Sequence, residues 1–358
     1  MRSVRDIRLF ENIPILVRAA LNVPIKNGEV ASAYRLQQAL PTIRFLAERG
    51  ARVILISHTG EKGTETLRPA ADVLGKLLPG VSFYPETVGE RVRAAIRGLA
   101  PGHILVLENL RRNKGEQEND PAFARELAAL ADIFVEDSFD TCHRAHASIV
   151  GIPKLLPSYA GMLLEEEVRE LSQARTPRHP ALAVIGGSKF STKEPVLTAL
   201  LEIYDHVCVG GALANDFLKA SGRDVGKSIF SSADPNAIKK ILASPKLVLP
   251  IDSVIKDDVI LDAGSGTSAL LADLATHAKT ILWNGPLGKY EEGFTAATIA
   301  FARAVAASRA HSIIGGGDTI AAIESLGLLS QFSFVSTGGG AMLDFLARGT
   351  LPGIEVLR

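Results

Sequence analysis

The chain repeats one phrase: a short apolar run, a polar or glycine-rich turn, then a segment with helical apolar spacing. In the first half the runs fall at 14–18, 52–57, 104–107 and 133–135. Between them, 34–49 sets Leu36, Leu40, Ile43, Leu46 and Ala47 at helical spacing and closes at Gly50, and 66–78 and 122–131 also read as helices. In the second half the runs fall at 182–185, 206–209, 247–249, 280–283, 312–314 and 333–335. Runs so short and so uniformly apolar predict strands buried on both faces. Their alternation with helices predicts an α/β chain of parallel, doubly wound sheets.

The rhythm breaks once. After Pro153 and Pro157 comes 161–174 (GMLLEEEVRELSQA), an amphipathic helix with an acidic middle, followed by Thr176-Pro177-Arg178-His179-Pro180. We read 156–175 as a connector between a first domain, 1–155, and a second, 176–340. A helix inside one continuous domain is the alternative the sequence leaves open. A length of 358 residues suits two domains.

In doubly wound sheets ligands gather at the carboxyl ends of the strands. The strand ending at Ile185 runs into Gly186-Gly187-Ser188-Lys189 and on to Lys193. Glycines let the backbone approach a ligand, and a helix start with lysines four apart on one face would hold phosphate. An ordinary turn with two solvated lysines is the bland reading. Two more turns share the character: Gly315-Gly316-Gly317-Asp318-Thr319, and Ser336-Thr337-Gly338-Gly339-Gly340 before a helical run at 341–347. Asp318 is one carboxylate among glycines, suited to a Mg²⁺ that rides on nucleotide phosphates. By contrast, Gly222 to Ser228 imitates a P-loop but is one residue short and follows a helical run, so it is set aside. In the first half Arg18, Asn22, His58, Arg111, His143 and Arg144 all follow strands, and Arg35 starts a helix. Singly each arginine is a solvated surface residue; together at one edge they suit a small polyanion.

Composition limits the rest. Lys+Arg and Asp+Glu balance at 39 each, which argues against a nucleic-acid or anionic-membrane partner, so any anion site is local. The two cysteines, Cys142 and Cys208, offer neither metal spacing nor a disulfide framework. Residues 1–6 lack a signal-peptide core and no run is long enough to span a membrane, so the cytoplasm is expected.

Over nearly its whole length the chain resembles the phosphoglycerate kinase family. The segments that carry the likeness are Asn22-Val23-Pro24, Ala39 to Ile43, Leu107-Glu108-Asn109-Leu110-Arg111, His143 to Ser148, Gly186 to Lys193, Trp283-Asn284-Gly285-Pro286, Gly315 to Thr319 and Ser336 to Ala341. The resemblance implies two Rossmann-like domains facing a cleft, with 341–358 returning to the first. It implies reversible phosphoryl transfer between 1,3-bisphosphoglycerate and ADP, giving 3-phosphoglycerate and ATP, in a monomer that uses Mg²⁺. Position by position, Arg18, Asn22, Arg35, His58, Arg111 and Arg144 match acid-substrate residues, with Arg35 facing the transferring group. Lys189 and Lys193 match the lysines on the nucleotide phosphates, and both, with Arg35 and the backbone at Gly339, would serve catalysis. Gly186, Gly187, Asn284, Gly315, Gly316, Gly317, Asp318 and Thr319 would line the nucleotide, and Glu291 would accept from its ribose.

The likeness thins on the acid side. The family's aspartate two residues before Asn22 is Ala20 here, and an arginine beside the substrate's phosphate is Glu61, followed by Lys62. Upstream of Arg35 the family's acidic pair is Ser32-Ala33, and the connection at 252–261 is short. A lost charge-assisted hydrogen bond costs about 1.5–3 kcal/mol. Three readings follow: a working kinase with weakened acid binding, a nucleotide-binding paralogue with little turnover, or a kinase for a related carboxylate or acyl phosphate.

Overall fold

A computed structural model describes residues 1–231 and 234–357. The chain forms two compact units, Met1–Val168 with the residues from Thr350 on, and Arg169–Gly349.

The first unit holds a six-stranded sheet in the order Val81–Tyr84, Ile104–Leu107, Arg52–Ile56, Pro14–Ala19, Ile133–Asp137, Ser158–Ala160. All its pairings are parallel. Side chains alternate between two cores, as the pleat requires. Ile15, Val17, Val53 and Leu55 pack with Leu36, Ile43 and Leu74 of the helices Tyr34–Ala47 and Arg68–Leu77. Leu16, Ile54 and Ile56 pack with Val92, Ile96, Phe123 and Leu127 of Glu90–Arg97 and Pro121–Ala128 on the other side. Both faces are dry, which is why these strands read as unbroken apolar runs.

The second unit has its own parallel sheet: Leu247–Val248, His206–Val209, Ala181–Ile185, Thr280–Asn284, His311–Gly315, Phe334–Val335. Counted along the chain this is the order 3-2-1-4-5-6. The direction of winding reverses between Ala181–Ile185 and Thr280–Asn284, and the carboxyl ends of these two strands open where a ligand is expected.

Several boundaries differ from the sequence reading. The strands Val81–Tyr84 and Ser158–Ala160 lie at sheet edges and went unread, being short and partly wet. Since Ser158–Ala160 belongs to the first sheet, the connector starts later than 156, while its helix, Met162–Ala174, agrees with the expected 161–174 to within one residue. The unit boundary falls inside it, after Val168. The expected return segment 341–358 is likewise divided. Ala341, Met342, Leu343, Phe345 and Leu346 bury one face of helix Gly339–Arg348 in the second unit, against helix Phe190–Ile203, so only the chain from Thr350 belongs to the first. The short connection after Asp252 is a hairpin, Ser253–Lys256 with Val259–Ala263, turned by Asp257 and Asp258 at φ 53° and 68°.

Candidate active site

In the second unit four glycine-bearing turns, at 186–187, 285–286, 315–317 and 338–340, meet at the reversal point. A Cβ on Gly186 would lie 2.1 Å from the Pro286 carbonyl oxygen, and one on Gly339 would lie 3.0 Å from Gly316 Cα. Only glycine allows backbones this close, and the result is a cradle of main chain. Buried side chains fasten it. Thr319 Oγ1 accepts from the Gly285 amide at 3.0 Å, and Asn284 Nδ2 donates to the Gly339 carbonyl at 3.3 Å. Thr319 and Asn284 therefore hold the turns together; their side chains are inside the fold. Helices Phe190–Ile203, Gly317–Ser325 and Gly339–Arg348 all start at this edge, and their first amides suit an anion.

Lys189 caps the first of these helices in extended backbone, and the helix begins at Phe190. The expectation that Lys189 and Lys193 share a helical face is thereby corrected: the glycine turn delays the helix, and only Lys193 is on it. Lys189 is exposed, whereas Lys193 is half-buried with its Cε 3.5 Å from where a Gly187 Cβ would be. Burial lowers the Lys193 pKa to about 8, against a partly offsetting pull from Asp344. Next to the cradle is a pocket of about 220 Å³, with Leu218, Ile229, Leu261 and Leu287 on its apolar side and Glu291 and Asp318 among its polar lining. Burial, then the neighbouring Glu291 charge, raises the Asp318 carboxyl. The apolar lining was invisible in the sequence, because nothing distinguishes a pocket leucine from a core leucine.

The first unit brings its candidate residues together as a positive cluster. Arg18 comes from strand Pro14–Ala19, His58 follows Arg52–Ile56, and Arg111 and Arg144 follow Ile104–Leu107 and Ile133–Asp137. Arg35 Nη1 donates to the Asn22 carbonyl at 2.6 Å. Arg111 donates to the Gly60 carbonyl. Asn109 pins the intervening loop, accepting from the Thr59 amide at 3.2 Å and donating to the Thr59 and Glu65 carbonyls at 2.8 and 3.0 Å. Arg144 is exposed, Asn22, Arg35 and Arg111 are partly exposed, and Glu61 and Lys62 are exposed on the loop. Ala20 is fully buried.

The charges in this cluster are felt by one another. Burial and then Arg144 and Arg18 lower the Arg111 pKa. Burial and then Arg111, Arg18, Arg144 and His143 lower His146 to about 4. His58 falls well below its ordinary value, through burial and then Arg18, Arg111, Arg35 and His146. Both histidines are thus neutral at pH 7, and the excess positive field comes from arginine.

A sheet of this winding, with a lysine-bearing main-chain cradle at its reversal point, places the second unit among nucleotide-handling α/β proteins. The comparisons narrow that class. A model described as Phosphoglycerate kinase matches residues 4–348. The curated phosphoglycerate kinase of Desulforudis audaxviator is 42% identical over 389 residues, covering 100% of this chain and 99% of that one. Among solved structures, phosphoglycerate kinase from Coxiella burnetii is 40% identical with a TM-score of 0.82, over 99% of this chain and 98% of that one. The Pyrococcus horikoshii phosphoglycerate kinase has a TM-score of 0.90 at 31% identity, over 100% of this chain and 98% of that one. The chain belongs to the phosphoglycerate kinase family.

Proposed function

We infer that the protein catalyses reversible phosphoryl transfer between 1,3-bisphosphoglycerate and ADP, giving 3-phosphoglycerate and ATP. The observation that carries this reading is that one chain builds two anion sites of different character, each at the carboxyl edge of its own sheet. Main-chain amides with lysine suit nucleotide phosphates, and an arginine cluster suits a phosphorylated carboxylic acid.

Phosphoryl transfer asks for alignment and charge neutralisation more than for covalent help. Lys189 and Lys193 would hold the nucleotide phosphates, with Lys193 and the amides of Gly338–Gly340 taking up charge on the moving group. Gly186, Gly187 and Gly315–Gly317 would let the phosphates lie against main chain, and Glu291 would accept from the ribose. Asn22, Arg35, His58, Arg111 and Arg144 would hold the acid, Arg35 nearest the transferred phosphoryl. Asp318 fits a Mg²⁺ bound chiefly by phosphates and water: it is a pocket-lining carboxylate at a helix start, and no cluster of three or more potential ligands exists among the described residues. Such an ion would neutralise phosphate charge. Ala20 and Glu61 weaken the grip on the acid.

With this reading go a monomer, a cytoplasmic location and substrate-driven hinge bending, all supported by the family resemblance; light scattering, cell fractionation and small-angle scattering with both substrates test them. No helix among the described residues is long and apolar enough to cross a membrane. A silent paralogue and a kinase for another acid are not favoured, because Arg35, Arg111, Arg144 and Lys193 are all retained. The deciding experiment is a coupled assay of ATP consumption over a wide range of 3-phosphoglycerate. We expect saturable turnover that Lys193→Ala abolishes. Mg-ATP binding without turnover overturns the reading.

A further inference from the structure

Arg18 is 1% exposed and His58 4%. The Arg18 guanidinium is anchored inside the fold by all three of its nitrogens. Its Nε donates to Ser148 Oγ at 3.2 Å, and its Nη1 donates to the Ala19 carbonyl, Ser57 Oγ and Ser138 Oγ at 3.1, 3.3 and 3.4 Å. Its Nη2 lies 3.0 Å from His58 Nδ1.

The three serines have fixed polarity. Ser148 Oγ donates to Glu116 Oε1 at 2.6 Å, Ser138 Oγ to Asp140 Oδ1 at 2.6 Å, and Ser57 Oγ to the Ala19 carbonyl at 2.7 Å. Each hydroxyl has one proton and has spent it outward, so each can only accept from Arg18. Glu116, itself buried, also accepts the Ser148 amide at 3.0 Å, which holds the network in place. The arginine therefore cannot turn towards a ligand. A guanidinium has donors only, so the His58 nitrogen facing it must be a lone-pair acceptor, and the ring's hydrogen must be on Nε2.

We propose that Arg18 is a positioning residue of the acid-substrate site: by donating to His58 Nδ1 it fixes His58 as the Nε2–H tautomer, a neutral donor for a substrate oxygen. This rests on the functional reading above, and it moves Arg18 from the substrate's contacts to the layer behind them. After burial itself, the charges that most oppose protonation of the ring are Arg18, Arg111 and Arg35, and His146 adds to them only below about pH 4, where it is charged. Hydrogen-bond donation by a neutral ring orients the acid without adding to an already crowded set of cations.

The test begins with the unaltered protein. Nitrogen NMR of ¹⁵N-histidine-labelled protein at pH 7, assigned with His58→Leu, should show His58 Nδ1 unprotonated and Nε2 protonated. An Nδ1–H tautomer or an imidazolium overturns the proposal. Arg18→Lys keeps a buried cation opposite Glu116 but loses the fork that spans Ser148 and His58. It should give a mixed tautomer and raise KM for 3-phosphoglycerate about tenfold, the worth of one hydrogen bond, with kcat little changed. In a His58→Leu background the same Arg18→Lys change should move KM less than about twofold, whereas additive effects mean that Arg18 does not act through His58. Should Arg18→Lys not fold, His58→Gln decides. Its amide can accept from Arg18 and donate outward without titrating, so affinity should survive there and fall in His58→Leu; equal losses overturn the proposal. Absence of all turnover defeats the functional reading, while the NMR spectrum still judges the tautomer.

Discussion

Lys193 carries a charge that its surroundings resist, since burial has brought its pKa down to about 8. A phosphate beside it pulls the pKa back up, so binding at pH 8.5 must take up protons. Calorimetry of Mg-ADP binding in buffers of differing ionisation heat should report that uptake in the native protein and lose most of it in Lys193→Arg, whose guanidinium is always charged. Equal uptake in both proteins removes Lys193 as the titrating group. The glycine turn before this lysine marks it in the sequence as a candidate for holding phosphate, but its half-burial was beyond reach. Arg18 shows why. Its partners Ser57, Ser138 and Ser148 are 39, 120 and 130 residues away, and no local pattern announces a hydroxyl that arrives from so far along the chain.

At the level of turns and strands, the reversal point of the second sheet depends on main-chain contact. Gly186→Ala would drive a methyl into the Pro286 carbonyl 2.1 Å away, whereas a Cβ on Gly317 meets nothing within 4 Å. Overpacking of this kind costs about 1–3 kcal/mol. We therefore expect Gly186→Ala to lower the urea midpoint of the second unit and to weaken Mg-ADP binding, while Gly317→Ala leaves the midpoint near the native value. Matching midpoints for the two variants show that the turns are not packed as described. The interior strands were legible because two dry faces leave an unbroken apolar run. The helices Ser265–His277 and Ala296–Ala307 went unread; both are rich in alanine and small residues, which blur the contrast between faces.

For the molecule as a whole, the first unit's buried carboxylates give stability an unusual slope with pH. Burial pushes the Asp137 carboxyl up to about 7 even though it accepts from the Leu164 amide at 3.1 Å. At pH values below about 4 both folded and unfolded chains hold that proton, and nothing is lost. Between about 4 and about 7 the unfolded chain has released it and the folded one has not, so this group lowers stability as pH rises. Asp137→Asn keeps an acceptor for Leu164 and has no proton to release. Its melting temperature relative to the native protein should climb from pH 4 to pH 7 and then level off. A constant difference across that range assigns the proton elsewhere.

The first unit is also interrupted in sequence: Arg169–Gly349 forms the second unit before the chain comes back. On return, the Gly353 amide donates to the Cys142 carbonyl at 2.9 Å, with Ile149 so close that a side chain at 353 would collide with it. During synthesis the ribosome therefore delivers every residue of the second unit before the piece that closes the first. The nascent first unit must wait, lacking that closing segment, while its neighbour folds.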